Sequence, residues 1–468
     1  MKKIFEYPIS GDAYENIDQV GLSEGIGVKL QDGNTDEAGN TQRRPGLKKY
    51  FEIDAGFKIE DFYWWEYKKL LIVVSNKRVY KIDKNLTVTD ITGDTLAGTY
   101  KPIFVDNGDS LLIADGGRIV YTNGTANTAY IGDADAPIKV THVAFLDTYI
   151  FCNNLEDTNK IYYSDAGSIS SWSATNFKPT ESKADKVVAL KSVYNMVMVI
   201  GTQSTEYYRT YDGGIMREDG MTSENGTISP YTLILSDGVV YYLDNKRNFV
   251  MLQDRVPVFL SLKFNKVFKN IGDVSDAFTY EMDLEGRFFI VLLMGGRCFV
   301  YEKMLKTWQE WGYWNRLKTQ YENYLGYCGI YIPDWNVYLT GSRKNGKIFE
   351  TSYNFNDDDG NTIRTLRITP NVDHGIPQFK KIEREITIKL KKSINALGSA
   401  EPKIMIRYRN NDENQWSQII ELVFNRQALT VTIRNLGSYY SRQYEIICTD
   451  SVGYYLCKMF AKVEILGG

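Results

Sequence analysis

Residues 70–83, LLIVVSNKRVYKID, read as a β-hairpin: an apolar strand, a turn on Ser75-Asn76-Lys77, and a second strand whose side chains alternate. Residues 110–123, SLLIADGGRIVYTN, repeat the shape around Asp115-Gly116-Gly117, a turn suited to positive φ. The pattern returns in TYIFCNNLEDTNKIYYSD from Thr148, MVMVIGTQSTEYYRTYD from Met196, VVYYLDNKRNFVMLQD from Val239, RFFIVLLMGGRCFVYEK from Arg287 and NVYLTGSRKNGKIFETS from Asn336. The starts fall about 40 to 50 residues apart, the period of propeller blades rather than of helical repeats. Shorter β-prone pieces such as KPIFVDN and IKVTHVAFLD supply the remaining strands of four-stranded blades. Apolar residues hardly ever recur at i, i+3, i+4 and i+7, so helices are few.

The expected fold class is therefore all-β: a β-propeller with an additional β-sandwich-like platform domain built from the chain termini. Seven hairpins fit six or seven blades; six is the expectation, with one hairpin given to a flanking unit. The expected boundaries are an N-terminal arm or platform segment over 1–50, the propeller over 51–355 and a C-terminal platform over 356–468. The loop NFNDDDGNT, 354–362, has the polar composition of a boundary, with Asp357 to Asp359 expected to lie in a solvated linker. Beyond it REITIKL, KIMIRYR, QIIELVF, LTVTIRN, YEIICTD and KMFAKVEIL alternate as strands without the blade pattern.

Charge and cysteine content narrow the function classes. With 24% charged residues and a net charge of -3, the chain is neither a basic nucleic-acid coat nor an acidic disordered protein. Cys152, Cys298, Cys328, Cys448 and Cys457 are odd in number and never spaced C-x-x-C, as expected of reduced thiols. Glu6, Asp12 and Glu15 interrupt the N-terminus before a signal-peptide core develops, and FFIVLLM at 288–294 is too short to span a bilayer. The expectation is a soluble protein made in a cytoplasm.

Catalytic and metal chemistry find little to work with. His142 and His374 are the two histidines, neither lies in a nucleophile context, and no G-x-S-x-G occurs. Asp32, Asn34 and Asp36 begin a D-x-N-x-D pattern, but Glu37 and Arg43 stand where a calcium loop requires Gly and Glu. The turn YSDAGSISSW departs from the sialidase turn at Tyr163 and in the placement of Trp172, and the 34 Tyr offer no means of singling out a catalytic one. Trp308, Trp311 and Trp314 are expected to pack between blades rather than to stack on bases. The expectation is no enzyme, with no catalytic, cofactor-binding or metal-binding residues. The rival is a carbohydrate-binding or glycan-active propeller using Trp172 or Trp308 as a sugar platform.

Three segments in order, IYYSDAGSISSWSATNF (161–177), SKADKVVAL (182–190) and MVMVIGTQSTEYYRTYDGG (196–214), resemble the packaged-DNA stabilisation, or tail nozzle (hub), proteins of short-tailed bacteriophages. RRPGLKKY near the N-terminus resembles the family's early R-P-G segment, and SRQYEIICTDSVGYYLCKMFAKVEI its closing strand pair. The sequence departs from the pattern at Gly167-Ser168 and at Arg209-Thr210.

The resemblance implies a structural virion protein of the tail, made in the host cytoplasm. It implies a homo-oligomeric ring of six beneath the portal and its head-to-tail adaptor, touching other tail proteins. Double-stranded DNA would pass through the lumen without sequence-specific binding, and the ring would close the channel after packaging and conduct the genome at ejection. In the hairpin GTQSTEYYRT, Glu206 and Arg209 would face solvent or a neighbour. Arg43, Arg44, Pro45 and Gly46 with Arg442 and Tyr444 would form the adaptor and subunit interface. As surface residues, Arg43 and Arg44 could then both be changed to Glu without unfolding the propeller.

Overall fold

The computed structural model describes residues 2–9, 29–36, 40–53, 56–183, 185–392, 402–411, 413–424 and 430–466. Seven four-stranded antiparallel blades follow one another along the chain. Six are each made of one uninterrupted stretch, the number expected: 59–90, 103–130, 143–179, 187–217, 234–259 and 278–311. The seventh is composite. Its first three strands lie within 326–352, and its fourth, Gly46–Glu52, comes from the N-terminal side of blade 1 and pairs antiparallel with Lys347–Ser352. The hairpin that starts at Asn336 is the centre of this closing blade. The ring begins at Gly46 rather than at Phe51.

Packing closes the circle. Each blade's first strand is innermost, and a separate apolar cluster fills every gap between neighbours, including the gap between blades 7 and 1, where Ile332, Leu339 and Ile348 meet Ile59, Leu71 and Val73. Trp308 lies in the core between blades 5 and 6, and Trp311 between blades 6 and 7. The turns explain why the hairpins are so regular. Asn76 and Lys77 take φ of 50° and 64°, Tyr194 and Asn195 take 52° and 57°, and Gly295 and Gly296 take 56° and 76°. Two successive positive φ values give the turn whose twist matches that of the flanking strands.

The platform packs two sheets over one core. Lys2–Tyr7, Thr41–Arg43, Lys381–Lys392, Thr430–Arg434 and Tyr454–Ile465 share one sheet. Thr365–Ile368, Arg442–Cys448, Lys403–Asn410 and Ile420–Val423 form the other. Tyr7, Ile386, Ile406, Tyr444, Ile446 and Met459 are among the side chains buried between them. The second sheet does not stop at the platform. Through Lys29–Gln31 it joins Thr307–Trp311 of blade 6, giving nine strands that run from propeller to platform. Of the expected N-terminal arm, residues 10–28 lie outside the described residues.

The ring's axis is obstructed. His142, just before the inner strand of blade 3, stacks on Tyr231 from the segment leading into blade 5 at 5.1 Å, and Tyr231 faces Tyr100 from the segment leading into blade 2 at 6.3 Å. Lys101 bridges to Asp61 on the inner strand of blade 1 at 2.9 Å. Burial, with help from Lys191, lowers the His142 pKa to about 3 against the pull of the Pro230 carbonyl. His374, in the platform, is lowered to about 4, chiefly by burial.

A histidine whose folded pKa lies below its unfolded value contributes stability that is complete above the unfolded pKa and is lost as pH falls through that value toward the folded one. Acidification from pH 6.5 toward 4 should therefore lower the melting temperature, with His142 alone contributing about 1.4 kcal/mol per pH unit. Melting curves of wild type and His142→Asn across that range check this. The variant should show the shallower pH dependence, and equal slopes would refute the assignment.

Candidate functional site

The sequence singles out two places, and in both the structure turns expected surface into interior. Asp185 comes from the link SKADKV, and its Oδ2 accepts the N–H groups of Gln203 at 2.6 Å and Ser204 at 2.9 Å. A Cβ on Gly201 would lie 2.4 Å from that same oxygen, so glycine is required there. Glu206 answers from the hairpin: its Oε1 accepts the N–H groups of Glu181 at 2.9 Å and Ser182 at 2.5 Å, and its Oε2 accepts the Tyr208 hydroxyl at 2.6 Å. Link and hairpin are thus stapled reciprocally by two carboxylates. The expectation that Glu206 faces solvent is corrected, for it is 1% exposed. Arg209 is exposed as expected and pairs with Glu218.

Replacing Glu206 by Ala strands the two backbone N–H groups of Glu181 and Ser182, at a cost of about 1–3 kcal/mol for each, while the Tyr208 hydroxyl keeps the Pro179 carbonyl as its acceptor at 3.1 Å. A drop in melting temperature with retained β circular dichroism is the expected outcome. An unchanged melting temperature would show the staple to be dispensable.

The segment Arg43-Arg44-Pro45-Gly46 is wholly buried, so its expected exposure is corrected. Arg44 donates from Nε to Asp32 at 2.7 Å, from Nη1 to Asp358 at 2.9 Å and to the Pro45 carbonyl at 3.0 Å, and from Nη2 to Asp358 at 2.6 Å and to the Gly312 carbonyl at 2.9 Å. All the donors of its planar fork are used, a match that lysine cannot reproduce. Its guanidinium also lies 5.0 Å from the Tyr324 ring. Burial opposes the charge on Arg44, but Asp358 and Asp32 outweigh it and hold the guanidinium ionised. Burial pushes the Asp32 carboxyl up to about 6 against the pull of Arg44 and the Gly312 N–H.

Asp358 is therefore no solvated linker residue; it is the counter-ion of Arg44. Arg43 reaches three backbone carbonyls: Asn356 and Val452, each at 3.0 Å, and Asp450 at 2.6 Å. Gly46 is required by crowding, since a Cβ there would lie 2.5 Å from the Asp357 carbonyl oxygen and 2.6 Å from that of Phe355. These four residues join blades 6 and 7 to the platform.

Arg442 and Tyr444 form a second, separate cluster within the platform core. Arg442 donates to Glu383 at 2.6 Å and lies between the rings of Tyr408 and Tyr439 at 4.3 and 4.2 Å. The Tyr444 hydroxyl donates to the same Glu383 oxygen at 2.5 Å. Burial raises the Glu383 pKa despite both partners. Neither side chain reaches the surface of this chain. The roles of Asp358 and Glu383 escape sequence pattern because their arginine partners lie 314 and 59 residues away. Among the described residues, no group of three or more His, Cys, Asp or Glu could hold a metal ion.

What the geometry defines is a seven-bladed propeller locked to a two-sheet platform through buried ion pairs. The sequence model of the family described as "Bacteriophage P22 Gp10, beta-propeller" matches residues 32–352. The chain belongs to this phage stabilisation family of structural proteins. The match starts at Asp32 and ends at Ser352, so it takes in both the Arg44 partner and the closing blade.

No curated protein matches the chain. Among solved structures, the extracellular domain of a one component system from B. thetaiotaomicron is similar at 10% identity and a TM-score of 0.44, covering 91% of this chain and 61% of that one. A streptogramin B lyase is similar at 10% identity and a TM-score of 0.42, covering 66% of this chain and 98% of that one. Virginiamycin B lyase from Staphylococcus aureus is similar at 9% identity and a TM-score of 0.41, covering 64% and 98%. Likenesses this distant carry no argument about activity.

Proposed function

We propose that this protein is the tail nozzle, or hub, of a short-tailed phage: six copies ring the channel beneath the portal and adaptor, retain the packaged genome and conduct it at ejection. The observation that carries the proposal is the family match over the whole ring, 32–352. Two features of the chain support it. Since Tyr100, Tyr231, His142 and the Lys101–Asp61 pair obstruct the propeller's own axis, a passage for duplex DNA has to lie between copies. With a net charge of -3, the chain has little excess cation to hold a sliding polyanion by counterion release.

The proposed role is mechanical and not enzymatic. Both histidines are held neutral and bonded within the fold, and the buried carboxylates serve as caps and counter-ions. The proposed docking element is the outer surface of the platform, which Arg43, Arg44 and Arg442 position from inside. A phage lacking this protein should fill its heads and then lose the DNA, read as empty heads by electron microscopy and as nuclease-sensitive genomes. Particles that keep their DNA without the protein would overturn the nozzle role.

A further inference from the structure

The obstructed axis ends in an open pocket of about 300 Å³ at one mouth of the ring. Its walls come from blades 1, 2, 6 and 7 and from the segment leading into blade 5: Lys58 and Glu60, Tyr100 and Lys101, Phe278, Tyr327 and Tyr231. A largely pre-formed pocket with aromatic walls and a few convergent polar groups is the ordinary form of a small-ligand site. The volume equals that of about ten water molecules, enough for one pyranose ring.

The charges say what kind of ligand fits. Lys58 and Lys101 are matched by Glu60 and Asp276, so the lining carries no net charge. Lys101 is moreover committed to Asp61 at 2.9 Å and to the Glu60 carbonyl at 3.1 Å. That leaves no cation cluster for a phosphate. A cationic ligand fares no better, because the aromatic faces that would attract it are occupied: Lys101 lies 4.3 Å from the Phe278 ring centre and Lys58 4.7 Å from that of Tyr327.

What remains is the outward face of Tyr100, 43% exposed and backed by Tyr231, with Glu60 beside it as a hydrogen-bonding group for hydroxyls. Burial raises the pKa of Glu60, with Asp115 adding to the effect and Lys58 opposing it. A flat apolar face beside polar groups of balanced charge suits a ring that is apolar on its C–H face and hydroxylated at its edge.

We propose that this axial mouth binds a single neutral sugar residue, with Tyr100 as the stacking platform and Glu60 as the hydroxyl partner. The carbohydrate reading of the sequence thereby moves from Trp172 and Trp308, which are 5% and 2% exposed, to a tyrosine that sequence pattern does not distinguish. The proposal is independent of the nozzle role, since it concerns the isolated chain in solution.

Saturation-transfer NMR on the full-length protein tests it with methyl glucoside, methyl galactoside and methyl N-acetylglucosaminide, alongside inorganic phosphate and choline. At least one neutral glycoside should bind saturably at about 1–10 mM. Tyr100→Ala and Glu60→Gln should each weaken that binding at least about tenfold. Tyr100 is exposed enough for the first variant to fold, which an unchanged melting temperature would verify. The idea fails if no glycoside in the panel saturates, if both variants bind as the wild type does, or if phosphate or choline is the ligand that binds.

Discussion

Arg44→Ala should destabilise the protein by about 3–5 kcal/mol, because it leaves two buried carboxylates without their cation. Asp32 and Asp358 both lie inside, and a Gly312 carbonyl and a Pro45 carbonyl lose their donor with them. Arg44→Lys should recover little, since one ammonium cannot span both acids and both carbonyls. Adding Asp32→Asn and Asp358→Asn to Arg44→Ala should return part of the loss, because the uncompensated charge is then gone. Urea unfolding monitored by circular dichroism reads all three. A loss below about 1 kcal/mol for Arg44→Ala would mean that the pair behaves as a surface ion pair and that the joint is held by other contacts.

A chain begun at Phe51, the start that the hairpin pattern suggests, should fail to close its ring. Without residues 46–50, residues 349–352 of the strand Lys347–Ser352 are left as a bare edge, an invitation to aggregation. Leu47, which is 0% exposed, also leaves the core shared with Phe278 and Tyr338. The truncated chain should lose its cooperative melt and be cut by protease within blade 7. Leu47→Asp in the full-length chain should reproduce much of this, since it buries a carboxylate with no partner. If the truncated chain melts cooperatively within a few degrees of the intact one, closure by this strand is not what holds the ring.

The propeller was legible in the sequence because its signal is local. Apolar alternation and turn residues with positive φ, such as Asn76 and Gly116, recur within each hairpin and need no knowledge of distant partners. The closing strand was not legible for the opposite reason. GLKKYFE shows two exposed lysines, Lys48 and Lys49, and its pairing strand lies at the far end of the ring. Sequence pattern places Arg43 and Arg44 at the surface because arginine is rarely buried unless paired; Asp358, which pairs with Arg44, is 314 residues away, and Arg43 is satisfied by the distant Asn356, Asp450 and Val452 carbonyls. Glu206 follows the same logic on a shorter scale, since its two backbone donors belong to a link 24 and 25 residues upstream. Motif order was informative about family even where the role of each residue was misjudged: the Gly, Asp and Glu of the motif are spaced by the needs of a carboxylate staple.

The nozzle reading stands or falls on where the protein sits in the assembled virion. Cryo-electron microscopy of intact particles, with the tail reconstructed without imposed symmetry, should show six copies of this propeller and platform in a ring directly beneath the portal and adaptor. The platforms should point toward the adaptor and the channel should pass between copies. A map that places the protein elsewhere in the particle, that finds it absent from the tail, or that runs the DNA through the propeller's own axis would contradict the account.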